Sequence, residues 1–417
     1  MKEIRGTKVL IAGLGIEGKS TLKYLEENHK DLDITIADKN VDDELAKNYN
    51  FLSGEDYLDN LQEYDTVVRS PGIPLELFKS AKHVTSHTNI FFENCPGKVI
   101  AITGTKGKST TTTLIYDLLK TTHKDVRLIG NIGKPALDSL KSAASETIFV
   151  FEISSFQLED VHYSPHIAAV LAITSDHIDR HGNLDKYVLA KQNIVMKQTK
   201  DDFVFYNADD ENASKIAKAS KATKMPVHYT KVPFKTALIG KGNEINIAMA
   251  IAVAKHYEVP EEQIKNILTN FKPLPHRIEN IGQYNGITFY DDSIATNPDA
   301  SLNGIRALGD KLETVIVGGA NKGFDFDEYV KAVSKLNIKN IILMPDTGHE
   351  MKDDLEKHAK NSKILIANTM KEAVKLAYKN TESGKSVLLS PAATSFNMFT
   401  DYKERGEVFK KFVLELA

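Results

Sequence analysis

Residues 103–119 read TGTKGKSTTTTLIYDLL, with glycines at 104 and 107, then Lys108, Ser109 and Thr110, then a helical apolar pattern. Small residues let backbone N–H groups close on phosphate oxygens, an ammonium neutralises them, and a hydroxyl can hold Mg²⁺. Lys108 supplies the charge, and Ser109 or Thr110 the hydroxyl. The apolar run Lys98–Ile102 provides the strand that such a loop must follow. The glycines stand closer together than in the general phosphate-loop pattern, so this is a variant form. The competing reading is an ordinary glycine turn before a helix.

Further polar clusters recur where apolar runs end. In FVFEISSFQLE the run closes on Glu152, and an acid following a buried strand beside a phosphate loop can hold Mg²⁺. Read alone, the same segment is a helix-start cap. LAITSDHIDR places Asp176, His177, Asp179 and Arg180 after another strand, a density that favours a metal or phosphate site. Lys191 lies 14 residues past His177, at the start of a helical run, where a solvated lysine is the plain alternative. In PHRIE, Arg277 offers a fixed fork of donors for a phosphate. YDDSIATNP, GGANK and SPAATSF follow three later strands. Packing alone does not explain polar clusters at so many successive strand ends.

The elements that position these clusters fall into three consecutive units, with boundaries at 1–94, 95–273 and 274–417. The first opens with an apolar strand, Val9–Ala12, and the turn Gly13-Leu14-Gly15-Ile16-Glu17-Gly18 into a helix. A second strand, Ile34–Ala37, ends at Asp38. This is a dinucleotide-type βαβ start with an acid roughly 20 residues on. Strand Thr66–Arg69 ends in Ser70-Pro71-Gly72-Ile73-Pro74, an exposed loop at a common ligand position. NAD(P), another nucleotide and pure packing all remain open for this unit on its turn pattern. The second unit carries the phosphate loop, strands at Thr147–Glu152 and Ala168–Ile173, and helices at Ala248–Tyr257 and Glu261–Asn270. FKPLP, at 271–275, reads as the hinge into the third unit. There, strands at Ile287–Tyr290, Thr314–Val317, Asn340–Met344, Lys363–Ile366 and Ser386–Leu389 alternate with helices such as Phe326–Leu336 and Met370–Tyr378. The predicted fold is α/β, with mainly parallel sheets.

Composition bounds the partners. With 417 residues and 41% hydrophobic content, the chain can bury several cores. A net charge of -3 with no long basic block argues against a nucleic-acid groove. One cysteine, Cys95, rules out an intrachain disulfide and a cysteine metal cluster. No apolar stretch reaches membrane-spanning length, and the N-terminus lacks a secretory apolar core, so a cytoplasmic protein without a transmembrane segment is expected. A monomer is expected.

GTKGKST, GNIGKPAL, EISSFQLE, DHIDRH, PHRIE, DDSIATNP and LLSPAATSF, in this order along essentially the whole chain, resemble the muramyl ligases, ATP-dependent enzymes of peptidoglycan precursor synthesis. Within that family the match is to the branch that joins D-glutamate to UDP-N-acetylmuramoyl-L-alanine. The resemblance implies a dinucleotide-binding-like N-terminal domain for the UDP-sugar, a central P-loop ATPase-like domain, and a C-terminal Rossmann-like domain for the amino acid. It also implies an acyl phosphate at the substrate carboxylate, attacked by the amino group of glutamate.

Carried over residue by residue, Gly13, Leu14, Gly15, Ile16, Asp38, Ser70, Pro71 and Gly72 fall near the UDP-sugar, and Asn131 and His276 near the reacting phosphate and substrate. Gly104, Thr105, Lys106, Gly107, Lys108, Ser109, Thr110, Asn243, Arg277 and Asp292 match ATP contacts. Two Mg²⁺ ions are implied, with Ser109, Glu152, His177 and a carbamylated Lys191 as their ligands. Lys322, Thr394, Ser395, Phe396 and Tyr402 match positions that hold glutamate.

Three departures stand out. Ile294 occupies a position where many relatives have lysine, so it is assigned no role. Tyr402 replaces a phenylalanine. Gly240-Lys241-Gly242-Asn243 lacks the histidine of a Gly-x-His-Asn pattern, with Asn246 retained, and the stretch between Asn207 and Gly240 is short. The alternatives are a related ligase adding L-glutamate or another amino acid, and a nucleotide-dependent binding protein without ligation. The second is disfavoured by Lys108, Glu152, His177 and Lys191 together. A dehydrogenase gains nothing from the phosphate loop.

Overall fold

A computed structural model of the chain describes residues 2–234, 236–238, 240–272, 274–321 and 325–417. Lys322, Pro273 of the expected hinge and the Asp179 side chain lie outside what is described.

Alternating strands and helices build three sheets. The first comprises β1 (Lys8–Ala12), β2 (Asp33–Ala37), β3 (Asn50–Leu52), β4 (Thr66–Arg69) and β5 (Val84–Ser86), all parallel, in the order β3-β2-β1-β4-β5. The strand order reverses between β1 and β4, which places the turn after Ala12 and the loop after Arg69 side by side. The second sheet comprises β6 (Lys98–Thr103), β7 (Val126–Gly130), β8 (Ile148–Glu152), β9 (Ile167–Val170), β10 (Phe203–Asn207) and β11 (Thr223–Val227), in the order β11-β10-β9-β6-β8-β7. The third comprises β12 (Glu279–Tyr284), β13 (Ile287–Asp291), β14 (Leu312–Val317), β15 (Asn340–Leu343), β16 (Lys363–Ile366) and β17 (Ser386–Leu389), in the order β12-β13-β17-β14-β15-β16.

The chain divides into two compact units, Met1–Lys235 with Gly242–Asn270, and Thr236–Lys241 with Phe271–Ala417. The first unit contains the first two sheets. Its core runs through both, because the helix His87–Asn94 carries Phe91 against Phe149 and Phe151 of β8, at ring separations of 5.2 and 5.6 Å. Edge-to-face pairs of this kind add to the area buried. In the second unit, β14 and β15 alternate between two cores. Val315, Val317, Ile341 and Leu343 face one way, and Ile316 and Ile342 the other. That period-2 split of continuous apolar runs is what a sheet covered on both faces requires.

Several boundaries differ from the sequence reading. The strand expected at Ala168–Ile173 ends at Val170, where the chain turns to pair with the phosphate loop through Thr105 N–H to the Ala172 carbonyl. The helix expected from Ala248 begins at Lys241, and that expected over Phe326–Leu336 covers Asp327–Val333. β12 pairs antiparallel with β13, a departure from the otherwise parallel third sheet that a short hairpin through Asn285 and Gly286 permits.

Candidate active site

In the first unit, β9, β6 and β8 are neighbours and parallel, so their C-terminal ends share one edge. The phosphate loop leaves β6, Glu152 ends β8, and the Asp176–Arg180 segment follows β9. The topology therefore collects the candidate phosphate and metal residues that the sequence scatters from Gly104 to Arg180.

Gly107 caps the helix Lys108–Leu119 with φ 86, in the left-handed region. A Cβ there would also collide with the Asn246 side chain, itself bonded by its Nδ2 to Asn243 Oδ1 at 3.1 Å. Glycine at 107 therefore serves both the turn and the approach of the helix that carries the second asparagine. Ser109 is half-buried on the first helical turn, whereas Thr110 is only 1% exposed, which makes Ser109 the hydroxyl available to a ligand. Thr105 turns inward. Its Oγ1 donates to the Thr174 carbonyl, accepts from Thr174 N–H and meets Tyr187 OH at 3.3 Å. Its side chain and its N–H, bonded to the Ala172 carbonyl, thus tie the loop to the segment after β9.

Lys108 Nζ donates to the carbonyls of Gly104 and Thr105, both at 2.9 Å. Lys191 Nζ donates to the same Gly104 carbonyl at 3.0 Å, and lies 4.6 Å from the centre of the Tyr187 ring. Lys191 is 1% exposed. The solvated alternative is thereby excluded, and the residue stands near the end of the helix Leu184–Gln192 and not at a helix start. Burial, reinforced by the Lys108 ammonium, pushes the Lys191 amine well below the ordinary lysine range, against a smaller pull from Asp176. A neutral buried amine is a nucleophile.

Glu152 is buried at 4% exposure, and its carbonyl accepts the Asn131 N–H at 3.2 Å. Ser154 and Gln157, just beyond, do form the helix-start cap that was the alternative reading, so the segment holds both a buried acid and a capping box. His177 is exposed, with left-handed backbone at φ 52, and its ring lies 4.9 Å from Phe156. The neighbouring His181 is the structural histidine, buried and bonded to Ser155 Oγ at 3.0 Å.

In the first sheet, Gly13 adopts φ 90, and a Cβ there would meet Ser70 at 2.7 Å and Ile73 at 3.1 Å. Ser70 Oγ donates to the Gly13 carbonyl at 2.8 Å, so the two candidate substrate loops are joined directly. Asp38 accepts the Leu14 N–H at 2.7 Å and holds the glycine turn closed. Ile16 is 78% exposed at the helix start, beside exposed Gly15. The next residue, Glu17, accepts a hydrogen bond from Gln157, and burial pushes its carboxyl up to about 7.

In the second unit, the ends of β13, β17 and β14 lie in adjacent slots and carry Asp291-Asp292, Ser390–Phe396 and Gly318-Gly319. Asp292 accepts from Ser390 Oγ at 2.9 Å and from Ile278 N–H at 3.3 Å, and burial pushes its carboxyl up to about 7. His276 is buried, with Nδ1 2.7 Å from Asp291 Oδ2 and Nε2 3.6 Å from Glu407. His276, Glu279 and Asp291 are the metal-like cluster among the described residues, but Lys410 already brings an ammonium to it, 2.9 Å from Glu279. Thr394 and Ala320 exchange backbone hydrogen bonds, Ser395 is buried, Phe396 is 62% exposed, and the Tyr402 ring lies 6.0 Å from that of His276. Sequence reasoning missed Arg405. This fully buried guanidinium donates to Ser293 Oγ, the Ser293 carbonyl and the Ala393 carbonyl, and so fixes the YDDSIATNP and SPAATSF loops to one helix. Nothing in a lone arginine near the C-terminus signals that role.

Comparison with known proteins accords with this layout. Residues 7–90 match the N-terminal domain of the MurD-like Mur ligases, 102–231 the Mur ligase middle domain, and 276–393 the Mur ligase glutamate ligase domain. A UDP-N-acetylmuramoylalanine–D-glutamate ligase of a Thermoanaerobacter species is 34% identical, with 99% of both chains covered. The ligase of the same name from Clostridioides difficile is 33% identical over 99% of this chain and 100% of its own. Among solved structures, the MurF ligase of Thermotoga maritima in complex with ADP shares the fold, at a TM-score of 0.62 and 18% identity, over 100% of this chain and 97% of that one. With relatives this similar along its whole length, the chain belongs to the Mur ligase family.

Proposed function

We propose that the protein is an ATP-dependent ligase that adds D-glutamate to UDP-N-acetylmuramoyl-L-alanine in peptidoglycan precursor synthesis. Its full-length relatives carry that activity in their names. The observation that carries the mechanistic reading is the buried Lys191 amine, held on the Gly104 carbonyl beside Lys108. An ammonium has no place among cation ligands, but an amine held neutral by burial can add CO₂. The resulting carbamate is an anionic oxygen donor, which fits Ser109, Glu152 and His177 as a set for two Mg²⁺ ions. Such ions would offset charge on the transferring phosphoryl group.

On this reading the domains divide as residues 1–94 for the UDP-sugar, 95–273 for ATP and 274–417 for the amino acid. The substrate carboxylate attacks the γ-phosphorus, ADP leaves, and an acyl phosphate forms. The deprotonated amine of glutamate attacks the acyl carbon, forming the C–N bond as inorganic phosphate departs. The loop Gly104–Thr110 and the Lys108 ammonium bind the phosphates, and by the family resemblance Asn131 and His276 serve near the reacting groups. By the same resemblance Asn243, Arg277 and Asp292 are nucleotide contacts. Gly13–Ile16, Asp38 and Ser70–Gly72 hold the UDP-sugar, and Lys322, Thr394, Ser395, Phe396 and Tyr402 the glutamate.

The test offers purified protein UDP-N-acetylmuramoyl-L-alanine, ATP, Mg²⁺ and each candidate amino acid, and measures phosphate release and product mass. D-glutamate is expected to give a product heavier by one glutamyl residue, with activity lost on chelation. Full ligation with the metal chelated, or a preference for another amino acid, would overturn the assignment.

A further inference from the structure

Arg69 closes β4 at the entrance to the Ser70–Pro74 loop, and its side chain is fully buried. A buried guanidinium demands partners for all its donors. Here Nε pairs with Asp160 at 2.8 Å, one terminal nitrogen reaches the Ile73 carbonyl at 2.7 Å and Glu159 at 3.3 Å, and the other donates to the Phe156 carbonyl at 3.0 Å. The Ile73 carbonyl has a second arginine. Arg180, from the helical turn that follows His177, donates to it at 2.9 Å and also reaches Glu159 at 3.4 Å. Two arginines, from the end of β4 and from the turn after His177, thus converge on one backbone carbonyl, and Glu159 and Asp160 of the stretch after Glu152 brace them. The Ile73 side chain in turn lies against the Gly13 turn, where a Cβ at 13 would meet it at 3.1 Å. A displaced Ile73 would therefore move the wall shared by both candidate UDP-sugar loops.

We propose that Arg69 and Arg180 are positioning residues for the UDP-sugar, clamping the Ile73 carbonyl between them and anchoring it to Glu159 and Asp160. The Ser70–Gly72 loop is thereby held in register with the strand end that carries Glu152 and the turn that carries His177. This rests on the reading that the loop receives the UDP-sugar. Lysine cannot replace either residue, because a point charge on a flexible stem cannot serve a carboxylate and a carbonyl through a fixed fork.

The experiment measures calorimetric dissociation constants for UDP-N-acetylmuramoyl-L-alanine and for Mg-ADP, with thermal stability, on the full-length protein. Arg69→Lys and Arg180→Lys are expected to weaken UDP-sugar binding by about tenfold or more while Mg-ADP binding stays within about twofold. Asn89→Ala is the control, since Asn89 bonds the Asp160 carbonyl and the His162 N–H of the same stretch without touching the loop. It is expected to lower stability and leave UDP-sugar affinity within about twofold. Arg180 is 14% exposed, so its variant decides the matter if Arg69→Lys does not fold. Arginine variants that bind the UDP-sugar like wild type, or that lose both ligands together in step with stability, would overturn the inference alone. Wild-type protein that binds no UDP-sugar would overturn the proposed function, and the inference with it.

Discussion

Replacing Lys191 by methionine separates what the buried amine does for chemistry from what it costs the fold. The amine has one good hydrogen bond, to the Gly104 carbonyl at 3.0 Å, and a long contact with Thr103 Oγ1 at 3.4 Å. Those contribute about 1 kcal/mol together. Against them stands a cost of several kcal/mol at pH 7 for a lysine that gives up its proton on folding, which burial and the Lys108 charge impose. Methionine fills nearly the same volume with no charge, at a packing cost below about 1.5 kcal/mol. Lys191→Met is therefore expected to stabilise the protein by about 1 kcal/mol at pH 7 in CO₂-free buffer, measured by urea denaturation, while ligation falls at least about a hundredfold. The pH dependence follows by linkage. The unfolded lysine keeps its proton up to the ordinary lysine value of 10.5, and the folded one releases it well below. Wild-type stability must therefore rise with pH across that window, and the advantage of the variant must shrink as pH approaches 10.5. A variant clearly less stable than wild type at pH 7, or an advantage that does not change between pH 7 and 10, would refute the reasoning.

Lys108→Ala is expected to cut turnover at least about a hundredfold in a folded protein, because it deletes the ammonium proposed to neutralise phosphoryl oxygens; single-turnover phosphate release checks it. Gly107→Ala should cost about 1–2 kcal/mol from the left-handed backbone alone, with a further loss of ATP affinity as Asn246 is displaced, read from thermal shifts with and without Mg-ATP. Asp292→Asn should remove a pH-dependent component of stability. The carboxyl, pushed up to about 7 when folded, stays protonated after the unfolded one has ionised near 3.8, so wild type loses stability as pH rises from about 4 to 7. The asparagine variant should show a flatter profile in urea midpoints over that range.

The alternation of strands and helices, the glycine turns and the polar clusters at strand ends were all legible in the sequence, because they are local. β4, β16 and β17 and the helix Glu261–Asn270 stand where apolar periodicity places them. So does the phosphate loop, since a glycine turn, Lys108 and Ser109 are consecutive in the chain. What local pattern cannot encode is which strand ends become neighbours. The order β9-β6-β8 brings Glu152 and the Asp176–His177 segment to the sides of the phosphate loop, and parallel pairing of non-consecutive strands decides it. Burial is likewise tertiary. Nothing in the amphipathic stretch around Lys191 marks its side chain as enclosed, yet packing against Tyr187 and Gly104 makes its amine an unusual base. Arg180 reads in the sequence as part of a metal or phosphate cluster, and Arg69 and Arg405 carry no signal of their structural role, until the fold surrounds all three with backbone carbonyls. A charged side chain becomes a structural node only when the chain folds back to bury it, and that depends on segments dozens of residues away.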